Sequence, residues 1–147
     1  MIGVIGSGTC DEKVKELAYE VGRGIARAER TLICGGLGGV MESACQGAHE
    51  SGGTTIGILP GTSPDQANPF LTHAIVTGLG IARNVIIVRS SQVLIAIHGG
   101  PGTLSEIAYA LQLGVPVVSL KSFDVSSELI QVQTSAEAVD ATVTLLR

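Results

Sequence analysis

Short apolar runs alternate along the chain with longer segments in which apolar residues recur every three or four positions. The short runs predict β-strands, and the longer segments predict amphipathic helices. Strands are predicted at Met1–Gly6, Thr31–Cys34, Thr54–Leu59, Ala74–Thr77, Val93–Ile97, Val115–Leu120 and Leu129–Val132. Helices are predicted at Asp11–Arg30, Val40–Glu50, Ile81–Arg89, Thr103–Leu113 and Ala136–Leu146. The segment Pro60–His73 is rich in turn-forming residues and is predicted to be a loop.

This alternation of strands and helices predicts the fold class. Val93–Ile97 is apolar at every position, which suits a central parallel strand covered by helices on both faces. We therefore expect an α/β fold with a doubly wound, mainly parallel sheet of six or seven strands, which is a Rossmann-like arrangement. Residues 1–147 are expected to form a single domain, because neither a repeat nor a linker interrupts the pattern.

Glycine is the residue type whose abundance changes this picture. The chain has 20 glycines in 147 residues, about twice the usual share. They cluster where three predicted strands end and the next helices begin, and helix N-termini offer free N–H groups that bind phosphate. The clusters are either tight turns or a phosphate cradle, and the presence of three of them favours the cradle. The candidate phosphate-binding residues are Gly6, Ser7, Gly8, Gly35, Gly36, Gly38, Gly99, Gly100, Gly102 and Thr103.

Composition and charge argue against several classes of protein. A net charge of −4 and an aromatic content of 3% argue against a nucleic-acid-binding surface. No apolar run approaches the ~20 residues of a membrane-spanning helix, and the first residues do not read as a secretory leader. We therefore expect a cytoplasmic protein whose partner is a small phosphorylated molecule, with neither nucleic acid nor membrane as a partner.

The three cysteines are too few and too scattered for a disulfide framework or a zinc site, so no metal site is expected. Cys34 and Cys45 fall in apolar segments and are expected in the core. Cys10 precedes a predicted helix, whose N-terminus would lower the pKa of its thiol. Because no general base accompanies Cys10, a passive role is the better interpretation.

Two familiar nucleotide-binding motifs are incomplete or missing. The segment 6–11 begins like a dinucleotide fingerprint, but Asp11 stands where Gly or Ala is needed for close packing of helix on strand. The second predicted strand ends at Cys34, where an acidic residue would bind a ribose. The chain also lacks the G-x-x-x-x-G-K-[ST] loop. These observations argue against a hydride-transfer enzyme and a P-loop NTPase.

Three segments together carry a family resemblance. They are Gly35–Met41 (GGLGGVM), Ala82–Asn84 (ARN) and His98–Glu106 (HGGPGTLSE). In this order they resemble the LOG-like family, formerly labelled lysine decarboxylase-like, whose hallmark is Pro-Gly-Gly-x-Gly-Thr-x-x-Glu. The chain is most similar to the small branch that includes molybdenum cofactor carrier proteins. The old label has no chemical support here, because the lysines lie outside the glycine clusters, at Lys13, Lys15 and Lys121.

The resemblance also implies a catalytic pair. Active members of the family hydrolyse the N-glycosidic bond of a nucleoside 5′-monophosphate, releasing free base and ribose 5-phosphate, and their Arg and Glu match Arg83 and Glu106. A carboxylate near the ribosyl bond stabilises positive charge on the sugar or orients water, and an Arg holds phosphate. Two positions depart from the family: His98 replaces Pro, and Asn84 stands where the hydrolases carry Lys. Asn84 is therefore a candidate ligand-binding residue.

Each of these residues also has a purely structural interpretation. The segment Thr103–Glu106 matches a helix capping box, in which Glu106 would only satisfy a backbone N–H. Arg83 would form a salt bridge at a helix end or a contact between subunits, and Asn84 would face water. His98, expected at a strand end in the pocket, would serve as a structural hydrogen-bonding group.

Two functional hypotheses remain. The first is a phosphate-cradling, nucleotide-binding protein, a carrier of a nucleotide-like or pterin-phosphate cofactor. It would hold a bound nucleotide or molybdenum cofactor and need no cofactor for folding. The alternative is a nucleoside 5′-monophosphate phosphoribohydrolase, and Asn84 in place of Lys favours the first hypothesis. A purely structural assembly subunit would leave the glycine clusters unexplained. Aliphatic residues in 85–88 and 103–113, together with the resemblance, predict a homodimer or homotetramer.

Overall fold

Strands and helices alternate along most of the chain in the computed structural model, which describes residues 1–147. The strands are β1 (Ile2–Gly6), β2 (Leu32–Cys34), β3 (Thr55–Leu59), β4 (His73–Val76), β5 (Val93–Ile97), β6 (Val117–Leu120) and β7 (Ile130–Val132). The helices are α1 (Glu12–Arg27), α2 (Val40–Glu50), α3 (Asn84–Ser90), α4 (Pro101–Leu113) and α5 (Ser135–Leu145). A single 3₁₀ turn at Gly80–Arg83 leads directly into α3.

The strands form one parallel sheet in the order β4-β3-β2-β1-β5-β6-β7. The chain builds the sheet outward from β1 to β4 and then returns to place β5 on the other side of β1. The strand order therefore reverses between β1 and β5, and ligands of doubly wound sheets bind at such a reversal. The predicted doubly wound α/β fold is confirmed.

Each face of the sheet carries its own apolar core. Successive side chains of a strand point to opposite faces, so Val4 packs beneath α1, α2 and α5 while Ile5 packs beneath α3 and α4. β5 is completely buried along its length, as predicted for a central strand. No helix combines the length and apolar character that crossing a membrane requires.

The helix ends follow local side-chain chemistry. Asp11 caps α1 by accepting a hydrogen bond from the Val14 N–H at 2.9 Å. The helix predicted to extend to Arg30 instead ends at Arg27, because Glu29 adopts a left-handed conformation with φ of 55°. At the other end of the chain, Thr134 caps α5 in a complete capping box with Glu137.

The predicted starts of two helices are wrong, and for α4 the reason is visible in the sequence. α4 begins at Pro101 rather than Thr103, since proline suits the first helical position, where an N–H has no partner. Gly100 is consequently the N-cap, and the proposed capping box at Thr103–Glu106 does not form. The predicted helix at Ile81–Arg89 begins as the 3₁₀ turn.

Glycines allow α1 and α2 to approach each other very closely. A Cβ at Gly22 of α1 would lie 1.9 Å from the Ala44 carbonyl oxygen of α2. A Cβ at Gly47 of α2 would lie 2.0 Å from the Tyr19 carbonyl oxygen of α1. Backbone therefore meets backbone at both positions, and this contact fixes α2, whose first turn borders the carboxyl edge of the sheet.

We expect Gly47→Ala to destabilise the protein, because the new methyl group must push the two helix backbones apart. Overpacking of this kind costs about 1–3 kcal/mol. Chemical denaturation measures the loss, with Gly102→Ala as a control, since a Cβ there meets nothing within 4 Å. Equal stabilities of the two variants would contradict the close helix contact.

Candidate functional site

A cavity of about 260 Å³ lies where the strand order reverses between β1 and β5. Three chain segments close it: the loop after β1, the loop after β2 and the first two turns of α4. The turn before α3 supplies the remaining wall. The candidate residues that line the cavity are Gly6, Ser7, Gly8, Gly35, Arg83, Asn84, Gly100, Gly102, Thr103 and Glu106.

Backbone N–H groups without partners border this cavity. In α4, the N–H of Leu104 bonds the Gly100 carbonyl, whereas those of Gly102 and Thr103 donate to no protein atom. In the loop after β1, the N–H of Gly8 is likewise free, and the backbone of Ser7 borders the same cavity. Such groups, together with the positive end of the α4 dipole, form the kind of site that binds a phosphate or carboxylate.

Glycine is required where β1 meets its neighbours at the floor of the cavity. A Cβ at Gly6 would lie 2.6 Å from the Val40 side chain and 2.8 Å from the Ile97 carbonyl oxygen. Gly100 differs, because its Cβ position is 3.6 Å from the nearest atom, the Ser7 hydroxyl oxygen, and its φ of −130° suits any residue. A side chain at Gly100 would therefore enter open cavity space.

Thr103 adds a side-chain group to the free N–H groups. The residue is 3% exposed, lines the cavity and makes no side-chain hydrogen bond within the protein. Its position is fixed from below by Gly99, whose φ is 117° and whose Cβ position would lie 2.5 Å from the Thr103 side chain. Leaving a buried hydroxyl without a partner costs free energy, so a ligand oxygen or water is its natural partner.

Arg83 is a buried cation anchored on the opposite wall. It is 8% exposed, its Nε donates to the Ile58 carbonyl at 2.8 Å, and its Nη2 donates to the Gly35 carbonyl at 3.4 Å. Burial lowers the pKa of Arg83 from its usual value, while Glu106 opposes that shift. An Arg keeps its charge in proteins, so Arg83 gives this wall a fixed positive group.

Asn84 links this wall to α4. Its Oδ1 accepts a hydrogen bond from Arg83 Nη1, and its Nδ2 donates to the Ser105 hydroxyl at 3.2 Å. The interpretation of Asn84 as a residue facing water is wrong, because the side chain is buried between these partners. Asn84 thus orients Arg83, and no carboxylate lies within salt-bridge distance of that guanidinium.

Glu106 is an isolated carboxyl group in the cavity. It is 7% exposed, lies in the second turn of α4 and receives no hydrogen bond from the protein. Burial raises the pKa of Glu106 to about 8, and the nearby Arg83 only partly opposes this shift. The side chain is therefore mostly protonated at neutral pH and able to donate a hydrogen bond.

Three candidate phosphate-binding residues lie outside this cavity. Gly36 has a φ of 76° and packs against the Leu59 side chain. Gly38 lines a second, neighbouring cavity, and Gly99 lies beneath Thr103. Glycine at these three positions allows the local backbone conformation or the close packing of neighbouring groups.

His98 and Cys10 also differ from expectation. The interpretation of His98 as a pocket residue is wrong: its side chain is exposed outside the cavity, and its carbonyl accepts a hydrogen bond from the Ser122 hydroxyl. The pKa of Cys10 is raised rather than lowered, because partial burial, Asp11 and Glu12 outweigh Lys15. Cys34 and Cys45 are buried as expected, with their sulfur atoms 3.5 Å apart.

Among the apolar residues of the cavity wall that sequence reasoning missed are Leu37, Met41 and Ile81. Leu37 and Met41 belong to the GGLGGVM segment, and Ile81 directly precedes Ala82-Arg83-Asn84, so each lies in or beside a segment already singled out. Their apolar character gave no chemical signal. Ile81 is 86% exposed and forms part of the rim.

The aliphatic residues of α3 are less available to a partner than expected. Ile87 and Val88 are completely buried in the core beneath α3 and α4. Exposed apolar side chains occur instead at Leu79, Ile81 and Tyr109. A homodimer or homotetramer stays a prediction.

Comparison with known proteins places these features in a family context. The model of the SLOG cluster4 family matches residues 1–145. An uncharacterised protein of Archaeoglobus fulgidus is 50% identical over 139 residues, which covers 95% of this chain and 91% of that protein. A cytokinin riboside 5′-monophosphate phosphoribohydrolase of Rhodococcoides fascians is 34% identical over 98 residues. That match covers 64% of this chain and only 50% of the enzyme.

Two solved structures are similar over nearly their whole length. The molybdenum cofactor binding protein of Rippkaea orientalis has a TM-score of 0.94 and 36% identity, covering 99% of this chain and 96% of that one. The molybdenum cofactor carrier protein of Chlamydomonas reinhardtii has a TM-score of 0.90 and 39% identity, covering 99% and 97%. These likenesses confirm the predicted resemblance to the LOG-like family near its carrier branch.

The raised pKa of Glu106 predicts a pH dependence of stability. The pKa of Glu106 is about 8 in the folded protein and near 4.5 in the unfolded chain. Its contribution to stability is therefore complete below pH 4.5 and is lost as pH rises through about 8. The stability of Glu106→Gln should be close to that of the wild type near pH 5 and exceed it at pH 9 by roughly 4–5 kcal/mol, given ~1.4 kcal/mol for each pKa unit between 4.5 and about 8. Urea denaturation from pH 5 to 9 measures this, and a difference that does not change with pH would contradict the burial argument.

The oligomeric state is tested by light scattering coupled to size-exclusion chromatography. We expect a mass of two or four times the 15.0 kDa of the chain. A mass of one chain at micromolar concentration would contradict the prediction.

Proposed function

This chain belongs to the SLOG cluster4 family, and from that premise we propose that it binds and carries a phosphorylated ligand, either nucleotide-like or a pterin phosphate. Its relatives support a LOG-like role, either as a molybdenum cofactor carrier or as a phosphoribohydrolase. The choice between the two rests on the chemistry of the cavity.

One observation carries the proposal. Free N–H groups from the β1 loop and from the start of α4 line the same cavity as the unpartnered hydroxyl of Thr103. These groups are hydrogen-bond donors that complement the oxygens of a phosphate, and Arg83 adds a positive charge to the opposite wall. The phosphate of the ligand is thus bound mainly by backbone, which agrees with a chain of negative net charge.

The state of Glu106 favours binding over hydrolysis at neutral pH. In the role that the resemblance assigns to Glu106, a carboxylate stabilises positive charge on the sugar or orients water during cleavage of the ribosyl bond. With a pKa of about 8, Glu106 is mostly neutral at pH 7. A neutral carboxyl group donates a hydrogen bond to a ligand oxygen and adds no negative charge that would repel a phosphate.

The cavity suits the phosphate portion of the molybdenum cofactor. The donors suit its phosphate, and the apolar side chains of Leu37 and Met41 offer packing surface. The volume of 260 Å³ is below the roughly 300–1,000 Å³ of pockets that hold a whole drug-sized ligand. The remainder of such a ligand must therefore extend beyond this cavity.

The phosphoribohydrolase is the second candidate. Arg83 and Glu106, the residues that match the family's catalytic pair, line one cavity, and two curated relatives are named as such enzymes. In this mechanism Glu106 must be ionised. Any hydrolysis would therefore increase as pH rises through about 8, the pKa of that carboxyl group.

Binding is tested by titrating AMP, GMP and ribose 5-phosphate into the protein at pH 7 in a calorimeter. We expect Gly100→Val to weaken the binding of all three compounds at least tenfold, because the valine side chain enters the space beside the free N–H groups. Gly61→Val, at an exposed position that does not line the cavity, serves as the matched control. Unchanged affinity in Gly100→Val would contradict the phosphate cradle.

Turnover is tested by assaying ribose 5-phosphate release from nucleoside monophosphates between pH 6 and 9. A carrier gives binding without release across the range. Release that increases above pH 8 and disappears in Glu106→Gln would establish the hydrolase instead.

A further inference from the structure

A second cavity, of about 420 Å³, adjoins the first. It lies between the starts of α1 and α2 and shares Gly8 with the phosphate-binding cavity. Since Gly8 has no side chain, only backbone separates the two spaces at that residue. Its side chains are predominantly polar, with Lys15 on α1 and Glu42, Ser43 and Gln46 on α2.

Ser43 is the feature of this cavity that indicates a ligand. The residue is 9% exposed, its N–H is fixed by the Gly39 carbonyl at 3.1 Å, and its hydroxyl makes no hydrogen bond within the protein. That hydroxyl is not sealed in the core, so a group in the cavity is able to reach it. Buried hydroxyls usually have partners, and here the partner must come from the cavity.

Most of the side-chain groups at this wall are hydrogen-bond acceptors. Glu42 makes neither a hydrogen bond nor a salt bridge within the protein. Gln46 uses its N–H₂ group on Glu50 at 2.9 Å, which leaves its carbonyl oxygen free. Glu42 and Gln46 are four residues apart and therefore neighbours on one side of α2.

The single cation at this wall is already engaged. Lys15 forms a salt bridge with Glu12 at 3.0 Å. A second phosphate is therefore a poor occupant, because the unpaired carboxylate of Glu42 would repel it. The acceptors fit instead a neutral group with several N–H donors on one edge.

We propose that the second cavity binds the heterocycle of the ligand through an edge that carries a ring N–H next to an exocyclic amine. Guanine and pterin share this aminopyrimidinone edge, and a carboxylate accepts both N–H groups side by side. Adenine presents its amine next to a ring nitrogen lone pair, which the Glu42 carboxylate would oppose. This inference rests on the proposed function, since the phosphate of the same ligand lies in the first cavity.

The test compares GMP, AMP and ribose 5-phosphate by calorimetry on wild type, Glu42→Gln and Glu16→Gln. Glu16 is an exposed residue of α1 outside both cavities, and its variant makes the same charge change. We expect wild type and Glu16→Gln to bind GMP at least tenfold more tightly than AMP. Glu42→Gln should lose that preference and keep its affinity for ribose 5-phosphate.

Ser43→Ala provides a second variant, and thermal melts show whether each variant is folded. Ser43→Ala should weaken the binding of GMP severalfold and leave the affinity for ribose 5-phosphate unchanged. Equal affinity of wild type for GMP and AMP, or a preference that survives in Glu42→Gln, would overturn the inference while ribose 5-phosphate binding preserves the proposed function. Failure of all three compounds to bind would overturn both.

Discussion

The convergence of free backbone N–H groups at one edge of a parallel sheet is the constraint on which the site depends. The strand order reverses between β1 and β5, so the loop after β1 and the start of α4 face the same space. Gly6 lets β1 approach Ile97 and the start of α2 without a side chain between them. Because the donors belong to the backbone, their positions follow from the fold, and the proposed phosphate site requires no basic surface.

Burial then determines what the ionisable side chains are able to do. Arg83 is anchored by the carbonyl groups of Ile58 and Gly35, and Asn84 connects it to α4. Glu106 has no such anchor, so burial dominates its pKa and keeps it protonated at neutral pH. Under the proposed function, the pair of residues that implies hydrolysis by resemblance holds a ligand at pH 7.

The order and type of the elements could be predicted from hydrophobic pattern, because the strands are short and apolar and the helices are amphipathic or capped by glycine. Helix starts were harder to predict, because at α4 the preference of Pro101 for the first helical position outweighs the capping-box pattern at Thr103. For the site, glycine clusters located the cavity, yet Gly36 and His98 lie outside it. A residue at the end of a strand lines the cavity only when the backbone directs it towards the cavity. The identity of a single residue does not reveal that direction.

Titration of inorganic phosphate or ribose 5-phosphate followed by amide NMR tests the central claim most directly. Large downfield shifts are expected for the N–H resonances of Gly8, Gly102 and Thr103, with small changes at exposed amides such as Gly61. Saturable shifts confined to other parts of the chain, with these three resonances unmoved, would contradict the convergence of free N–H groups on a phosphate.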